Sequence, residues 1–455
     1  AKDLRNPPFP IYGEKDVDLL LRETVNSLDF SKTGIMLSGG IDSALIASYC
    51  PKGTLAFTIT YPEIDGVDES KQAKIYADLF GLRLIKVPVT FQDVLDFQDD
   101  LMLYKREPLS PIEIAIHKIC LRALDFGIEN LLTGMGADCL FGGLTDIMSK
   151  RWNKKNFIKR YTFVPPECVL KNPHPNYSYF DPYENGDEFD ANSFMEDVFG
   201  IGTSKYFLSA CGCAGINLIA PYERCRRMFE LNIDDMLNGN EKRILRNLFA
   251  ERTGGLKAPQ KYPLPRPVQV WKQFYGRIIN DEFIEDAYER CATDNQKWLV
   301  FSLDHWLYLY KNNCFKHFDV GYTTGVYDMF HIGHLNLLRR ASKMCDKLIV
   351  GVTTDDLVSY KKKTSIIRFE DRIRIVRSLP FVFKAVEQSN MDKVSACKKY
   401  GAHAIVVGDD WKNTDKWNKY ENDLAKIGVT VVYLPYTKRV SSTILREEIK
   451  SSKNA

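Results

Sequence analysis

The chain has 455 residues, more than one ordinary hydrophobic core accommodates, so two or three domains are expected. An apolar fraction of 45% with 27% charged residues excludes global disorder, and a net charge of +3 gives no basis for nucleic acid as the main partner. No run reaches the ~18 apolar residues of a membrane span, no signal-peptide core opens the chain, and the 11 cysteines lack a C-x-x-C framework, so a cytoplasmic protein with buried thiols and no structural zinc is expected.

In chain order, Gly34 to Leu37 is a short apolar run ending at Ser38-Gly39-Gly40, and Ser43-Ala44-Leu45-Ile46-Ala47-Ser48 follows. The pattern predicts strand, tight glycine turn, helix. Leu55 to Thr60 predicts a second strand, residues 67–80 a helix, Leu82 to Val87 a third strand, 111–126 a helix and 129–133 a fourth strand. Such alternation predicts an α/β domain with a largely parallel sheet. Residues 145–200, rich in Asn, Asp, Pro and aromatics, predict an irregular insertion or lid, and 205–310 reads as mostly helical, ending in a buried helix over 296–310. A second α/β alternation begins at Asp319, with strands near 319–324, 347–353, 404–407 and 429–434. The boundary falls near 311–318, giving domains 1–313 and 317–455, each with a mostly parallel sheet and helices on both faces.

The turn Ser38-Gly39-Gly40-Ile41-Asp42-Ser43 carries chemistry. Two glycines let the backbone approach a ligand, the helix start presents N–H groups, and the serines add donors. Asp42 supplies a carboxylate suited to holding Mg2+ against phosphate oxygens. The Gly-Lys-Ser/Thr ending of a Walker A loop is missing, and the turn suits pyrophosphate. A glycine turn with a serine N-cap is the bland alternative; a bare S-G-G would favour it, whereas S-G-G-x-D-S between strand and helix favours the phosphate site.

This motif resembles the ATP-pyrophosphatase (PP-loop) superfamily, whose members adenylate a substrate and release pyrophosphate. Thr133-Gly134-Met135-Gly136-Ala137-Asp138-Cys139-Leu140-Phe141-Gly142-Gly143 is similar to the asparagine synthetase block T-G-E/D-G-x-D-E-L-F-G-G. Asp68-Glu69-Ser70, Ala220-Pro221-Tyr222, Glu241-Lys242-Arg243-Ile244-Leu245-Arg246 and Trp306 extend the resemblance over roughly residues 5–311. It implies an adenine nucleotide α-hydrolase-like fold and an ATP site at Leu37, Ser38, Gly39, Gly40, Asp42, Ser43, Thr58, Gly134 and Asp138, with Asp42 and Asp138 as Mg2+ ligands. The strand of Phe57, Thr58 and Ile59 is expected to line the adenine pocket. A late lysine is expected to neutralise charge at the α-phosphate, and Lys257 and Lys261 are the candidates. Met135 and Cys139 stand where the family has acids. Either the acceptor differs from that of asparagine synthetase or this half is weakened, and retention of Ser38, Asp42, Ser43 and Asp138 favours an altered acceptor. The roughly 33 residues ahead of the turn leave no room for that family's glutaminase. Free ammonia, a separate glutaminase or an amine substrate is the expected nitrogen source.

In the second domain, Gly325-Val326-Tyr327-Asp328-Met329-Phe330-His331-Ile332-Gly333-His334 follows an apolar strand and precedes a helix. Two imidazoles three residues apart at a helix start converge on one point, and Gly333 leaves space for a phosphate. A zinc pair or two capping histidines are the alternatives, and no H-E-x-x-H pattern supports zinc.

Residues 319–449 resemble the glycerol-3-phosphate cytidylyltransferase group of H-x-G-H nucleotidyltransferases. The blocks are 325–334, Leu348 to Asp355, Lys361-Lys362-Lys363, Phe369-Glu370-Asp371-Arg372, Val407-Gly408-Asp409-Asp410-Trp411 and Leu434 to Thr443. H-x-G-H alone also admits ATP-using adenylyltransferases; the G-D-D-W and V-S-S-T blocks favour CTP. The resemblance implies a Rossmann-like fold and a CTP site at Thr324, Gly325, Val326, Tyr327, Asp328, His331, His334, Gly408, Asp410, Ser442 and Thr443. His331, His334 and Lys361 are the expected catalytic groups, and Asp355, Lys361, Lys363, Arg372 and Arg439 the expected substrate-binding ones. Tyr436 replaces an arginine of the family pattern, and Arg439 is new.

Together these readings predict a cytidylyltransferase fused to an asparagine synthetase-like, AMP-forming ligase. Mg2+, ATP and CTP are the expected cofactor and co-substrates. Small molecules are the expected partners, with no nucleic acid and no membrane, and the second resemblance implies a homodimer. A substrate bearing both a carboxylate and a phosphate or phosphonate fits the fusion, with an amidated surface-polysaccharide head group as one destination. The other readings are a non-catalytic PP-loop scaffold beside the cytidylyltransferase, or an ATP-using adenylyltransferase.

Overall fold

The computed structural model describes residues 8–63, 69–258, 280–360, 364–437, 442 and 444–447, and the chain divides into two compact units, Ala1–Asp304 and His305–Ala455. The division falls inside the Asp294–Lys311 helix, ahead of the 311–318 stretch expected from the sequence pattern.

The first unit is built on a five-stranded parallel sheet. Thr33–Met36 is its central strand. Leu55–Thr60 and then Arg83–Pro88 extend it one way, Asn130–Leu132 and then Asn217–Ile219 the other. All four residues of the central strand are buried, as coverage on both faces requires. The helices Glu14–Asn26, Ile41–Ala47, Glu69–Phe80 and Arg243–Arg252 share one apolar cluster containing Leu20, Leu45, Ala77, Leu248 and Phe249. Phe91–Lys105, Glu113–Leu124 and Gly200–Ala214 pack together as a second helical layer against the sheet.

Among the described residues of 205–310 two strands stand beside the helices: Asn217–Ile219 closes the sheet and Cys225–Arg227 pairs in parallel with Phe9–Ile11. Strands of 3 residues are too short to show a period, and their polar members read as loop. The 145–200 insertion is irregular, but it has an aromatic core of its own. Phe157, Phe180, Phe189 and Phe194 are all buried, and the Phe157 and Phe189 rings stack 4.4 Å apart.

The second unit repeats the topology. Phe318–Gly325 is central, with Cys345–Thr353 and then Lys384–Gln388 on one side, Ala404–Gly408 and then Thr430–Leu434 on the other, all parallel. Lys384–Gln388 lies between polar ends and is a strand that the apolar pattern does not mark. Lys393–Tyr400 and Asp415–Ala425 cover the sheet through Cys397, Trp417 and Leu424, while Ile332–Lys343 and Phe369–Arg377 pack on its other strands. In each unit the direction of strand addition reverses beside the central strand. Loops leaving the carboxyl ends of the two strands there open a crevice, the usual ligand position in such sheets. Among the described residues no helix is long and apolar enough to cross a membrane.

Candidate active sites

In the first unit both crevice loops carry the sequence-marked aspartates. Asp42 lies in the first turn of Ile41–Ala47, and Asp138 in the first turn of Ala137–Leu140. Close packing brings the loops together. A Cβ on Gly134 would lie 2.8 Å from the Asp42 backbone and the Ser43 nitrogen, so only glycine fits. Within the turn, Ser43 Oγ accepts the Ser38 N–H at 3.0 Å, and Ser38 Oγ accepts the Gly40 N–H at 3.2 Å. These bonds fix the backbone before any ligand arrives.

Lys242 joins the two aspartates. Its Nζ lies 2.5 Å from Asp42 Oδ2 and 2.7 Å from Asp138 Oδ1, and its side chain is 1% exposed. It sits at the N-cap of Arg243–Arg252 in the left-handed region, φ 58°, which turns the side chain inward. Gly143 makes room, since a Cβ there would fall 2.3 Å from Lys242 Cε. Burial alone would depress the Lys242 pKa, but Asp42 and Asp138 outweigh it and hold the pKa above lysine's ordinary value. The ammonium is therefore charged.

Lys242 is the residue that motif reasoning missed. The reading turned to Lys257 and Lys261. Lys257 is exposed in the segment after the Arg243–Arg252 helix, and Lys261 lies outside the described residues, as does Asp68. The signal for Lys242 was present in the E-K-x-x-L-R block, but a lysine beside a glutamate at a helix start reads as solvated. Leu37 is core, 1% exposed, with its N–H bonded to the Phe57 carbonyl. The Phe57 ring is fully buried over Gly34 and edge-on to Phe126. Thr58 is 2% exposed. Asp42 and Asp138 reach one shared cation, and this pair of hard oxygen donors fits a Mg2+ that also carries phosphate oxygens.

The second site is organised around two imidazoles at a helix start. His331 is the N-cap of Ile332–Lys343, its Nδ1 accepting the Gly333 N–H at 3.2 Å, while His334 Nδ1 accepts the His331 N–H at 3.4 Å. An accepting Nδ1 carries no proton, so each neutral ring keeps its proton on Nε2 as a donor. The two rings stack 3.8 Å apart, and Tyr327 and Phe330 enclose His334. Burial in this cage, reinforced by His331, pushes the His334 pKa down to about 3; burial also lowers that of His331. Left-handed Tyr327 (φ 55°) and Met329 (φ 49°) form the tight loop that presents them.

Two of the expected ligand groups, Asp328 and Arg372, also bond to the crevice loops. Asp328, 2% exposed, accepts the backbone N–H groups of Ile366 and Ile367 and the Arg446 guanidinium. Burial would raise its pKa, but these donors hold it below the usual carboxylate value. Arg372, fully buried, donates to the carbonyls of Val326, Thr353 and Ile367 and to Asp355, so it positions the crevice loops from beneath. Ser442 Oγ donates to the Asp328 carbonyl at 2.9 Å, which places Ser442 at the histidine loop. Asp410 is exposed with its carboxylate against Gly408, and the partial loss of solvent there raises its pKa. Lys361, Lys363, Arg439 and Thr443 lie outside the described residues. Sequence reasoning missed Lys393, 5% exposed, whose Nζ donates to Thr324 Oγ1 at 2.6 Å at the end of the central strand. Only the topology brings it there.

Residues 16–203 match the asparagine synthase family model, and residues 322–448 the cytidylyltransferase-like model. The glycerol-3-phosphate cytidylyltransferase of Bacillus spizizenii is 35% identical over 130 residues, which cover 28% of this chain and 95% of that protein. The Staphylococcus aureus glycerol-3-phosphate cytidylyltransferase is 33% identical over 128 residues, 28% of this chain and 92% of that one. An FAD synthase of Archaeoglobus fulgidus is 34% identical over 98 residues, 22% of this chain and 71% of that one. Among solved structures, the lipopolysaccharide core biosynthesis protein from Thermoplasma volcanium GSS1 is similar at 24% identity, covering 26% of this chain and 95% of that chain, with a TM-score of 0.24. Through its second unit the chain belongs to the cytidylyltransferase-like family, and it is a fusion of that nucleotidyltransferase unit with an asparagine synthase-like, ATP-using unit ahead of it.

Proposed function

We propose that the chain is a bifunctional biosynthetic enzyme that adenylates a carboxylate with ATP, converts it to an amide, and transfers a cytidylyl group from CTP to a phosphate or phosphonate on a small molecule. The observation that carries the ATP half is Lys242 held between Asp42 and Asp138. A buried ammonium with two carboxylates is costly to desolvate and is characteristic of functional sites. Its presence argues against a decayed scaffold despite Met135 and Cys139. In this reading the substrate carboxylate attacks the α-phosphorus of ATP and pyrophosphate leaves. Lys242 and the Ser38–Ser43 turn bear the charge that develops, and an amine then displaces AMP. Asp42 and Asp138 would hold Mg2+, which supplies further charge neutralisation on the pyrophosphate.

In the CTP half, a phosphate oxygen attacks the α-phosphorus of CTP and pyrophosphate leaves. The Nε2–H groups of His331 and His334 bond to the phosphates as charge builds, and neutral donors need no deprotonation to do so. Similarity to glycerol-3-phosphate cytidylyltransferases at 35% and 33% identity over nearly their whole length favours CTP and a phospho-alcohol acceptor over the FAD synthesis named for the relative covered to 71%. One metabolite meeting both sites would carry a carboxylate and a phosphate, and an amidated surface-polysaccharide head group is one destination. We assign the reactions to a cytoplasmic homodimer drawing on ammonia or a separate glutaminase.

The test is mass spectrometry of products formed by the full chain from ATP, CTP, Mg2+ and a small-molecule cell extract. A CDP- or CMP-linked product and an amidated acid are expected, with phosphorylated hydroxy acids consumed faster than glycerol 3-phosphate. Equal or faster turnover of glycerol 3-phosphate would remove the shared-metabolite reading, and turnover of ATP alone in the second unit would remove the CTP assignment.

A further inference from the structure

Lys242 reaches Asp42 and Asp138 from a left-handed backbone, φ 58°. A residue with a Cβ disfavours that region, and a turn about φ or ψ would swing the side chain away from both carboxylates. The two peptide planes that flank the Lys242 Cα must therefore be held from outside.

Arg246, one turn into the Arg243–Arg252 helix, holds both. The carbonyl ahead of Lys242 belongs to Glu241 and accepts the Arg246 Nε–H at 2.8 Å. The Lys242 carbonyl accepts the Arg246 backbone N–H at 3.0 Å. Side chain and backbone of one residue thus fix the planes on either side of Lys242. The Lys242 N–H adds a third bond, donating at 3.2 Å to the carbonyl of Phe141, the C-cap of the short helix that carries Asp138. A plane bonded at its N–H and at its C=O cannot turn without breaking a bond.

The guanidinium is itself aimed. Nη2 lies 2.6 Å from Glu241 Oε1, and Nη1 donates at 3.0 Å to the Ala258 carbonyl, past the far end of the helix. The Arg246 and Glu241 side chains are only 14% and 13% exposed. Three acceptors in three directions fit the planar fork of arginine better than a single ammonium. Arg252, on the same helix, is the contrast. It bonds Ser48 Oγ and the Ser48 carbonyl and lies over the Tyr49 ring, so it anchors the other end of the helix to a different partner.

We infer that Arg246 is the positioning residue of the first site. It sets the Lys242 backbone so that the ammonium stands between Asp42 and Asp138 before a nucleotide arrives, and it ties the segment at Ala258 to the same point. Its effect on catalysis rests on the adenylation reading above, whereas its hold on Lys242 does not.

The experiment treats the full chain briefly with acetic anhydride and reads acetylation of individual lysines by peptide mass spectrometry. ATP–pyrophosphate exchange is measured beside it, with Mg2+ and a small-molecule cell extract. Lys105, whose side chain is 3% exposed beside Glu113 in the same unit, is the internal control for folding. In Arg246→Ala, acetylation of Lys242 should rise by about tenfold or more while Lys105 stays protected. The kcat for exchange should fall by about 10- to 100-fold, as misplacing a group that meets the reacting phosphate does. Low-millimolar guanidinium chloride should restore part of both, and Arg246→Lys should fall between. Arg252→Ala should lower the denaturation midpoint yet leave Lys242 protected and kcat within about threefold. Lys242 as protected in Arg246→Ala as in the unaltered chain overturns the inference. Joint exposure of Lys242 and Lys105 in both Arg246 variants also overturns it, marking Arg246 as part of the general fold only. Absence of exchange in the unaltered chain would remove the adenylation reading, and acetylation would still decide what Arg246 holds.

Discussion

The two units share a strand order and put their candidate sites at the same place, yet they prepare for a nucleoside triphosphate in opposite ways. The first concentrates charge: Lys242, fully enclosed, neutralises Asp42 and Asp138. The second puts uncharged groups at its helix start: His331 and His334 are held neutral by burial, while Asp328 and Arg372 direct their charges to loop backbone and to the partners Arg446 and Asp355. Topology therefore decides where a phosphate-handling site stands, and local side-chain chemistry decides how it works. A charged site is preorganised by ion pairs and must rearrange when its ligand brings a metal. A neutral site is preorganised by hydrogen bonds and ring stacking, and need only accept the ligand's charge.

The largest expected break in this comparison is Lys242→Met. Removing the ammonium leaves two carboxylates converging with their shared counter-charge gone, a change that typically costs about 3–5 kcal/mol. Thermal unfolding followed by hydrogen exchange should show the loss in peptides around 41–47 and 137–140 and not around 332–343. ATP–pyrophosphate exchange should disappear while CTP turnover persists. Uniform destabilisation would contradict independent sites. The mirror experiment is His334→Ala, which should lower kcat for CTP by roughly 100- to 1000-fold, the usual effect of losing one transition-state donor. ATP–pyrophosphate exchange is the control and should not move.

A smaller contrast concerns glycine. In Gly134→Ala the new Cβ meets fixed backbone, 2.8 Å from the Asp42 carbonyl carbon and the Ser43 nitrogen, and a cost of about 1–3 kcal/mol is expected. In Gly408→Ala the nearest atom, at 2.4 Å, is the movable Asp410 Oδ1, and under about 1 kcal/mol is expected. Denaturant midpoints of the two variants check the difference. Equal losses would mean that the ATP-side turn yields as readily as the Asp410 side chain.

These residues also show what the sequence made legible. The Leu55–Thr60 strand coincides with its apolar run, and the S-G-G-x-D-S and H-x-G-H turns lie where strand gives way to helix. Those signals are local, because glycine spacing and apolar period act over a few residues. Lys242 and Lys393 were illegible because each acts on a loop or strand far away in sequence, 200 residues for Asp42 and 69 for Thr324. Arg372 was legible as a conspicuous charge, but its bonds to the carbonyls of Val326, Thr353 and Ile367 join segments that only the fold brings together. The short Asn217–Ile219 and Cys225–Arg227 strands were hidden because their stability comes from neighbours, not from pattern.

The subtlest prediction tests the neutral site by pH. His334 has a pKa of about 3 when folded against a reference of 6.5. Between those values the unfolded chain binds a proton that the folded unit refuses, so stability is lost as pH falls below 6.5, by at most about 1.4 kcal/mol per pH unit. The protection factors of peptides spanning Ile332–Lys343, taken against the intrinsic exchange rate at each pH, should therefore fall between pH 7 and 5.5, and His334→Asn should flatten that dependence. Asp328 opposes the shift from the ligand-loop side, and His331 reinforces it, so His331→Asn should moderate the slope rather than abolish it. CTP turnover, by contrast, should not follow an inflection near 6.5 in the stable range, because both donors already work as neutral Nε2–H groups. An inflection there would mean that the imidazoles act as cations, and the contrast between a charged first site and a neutral second one would fall.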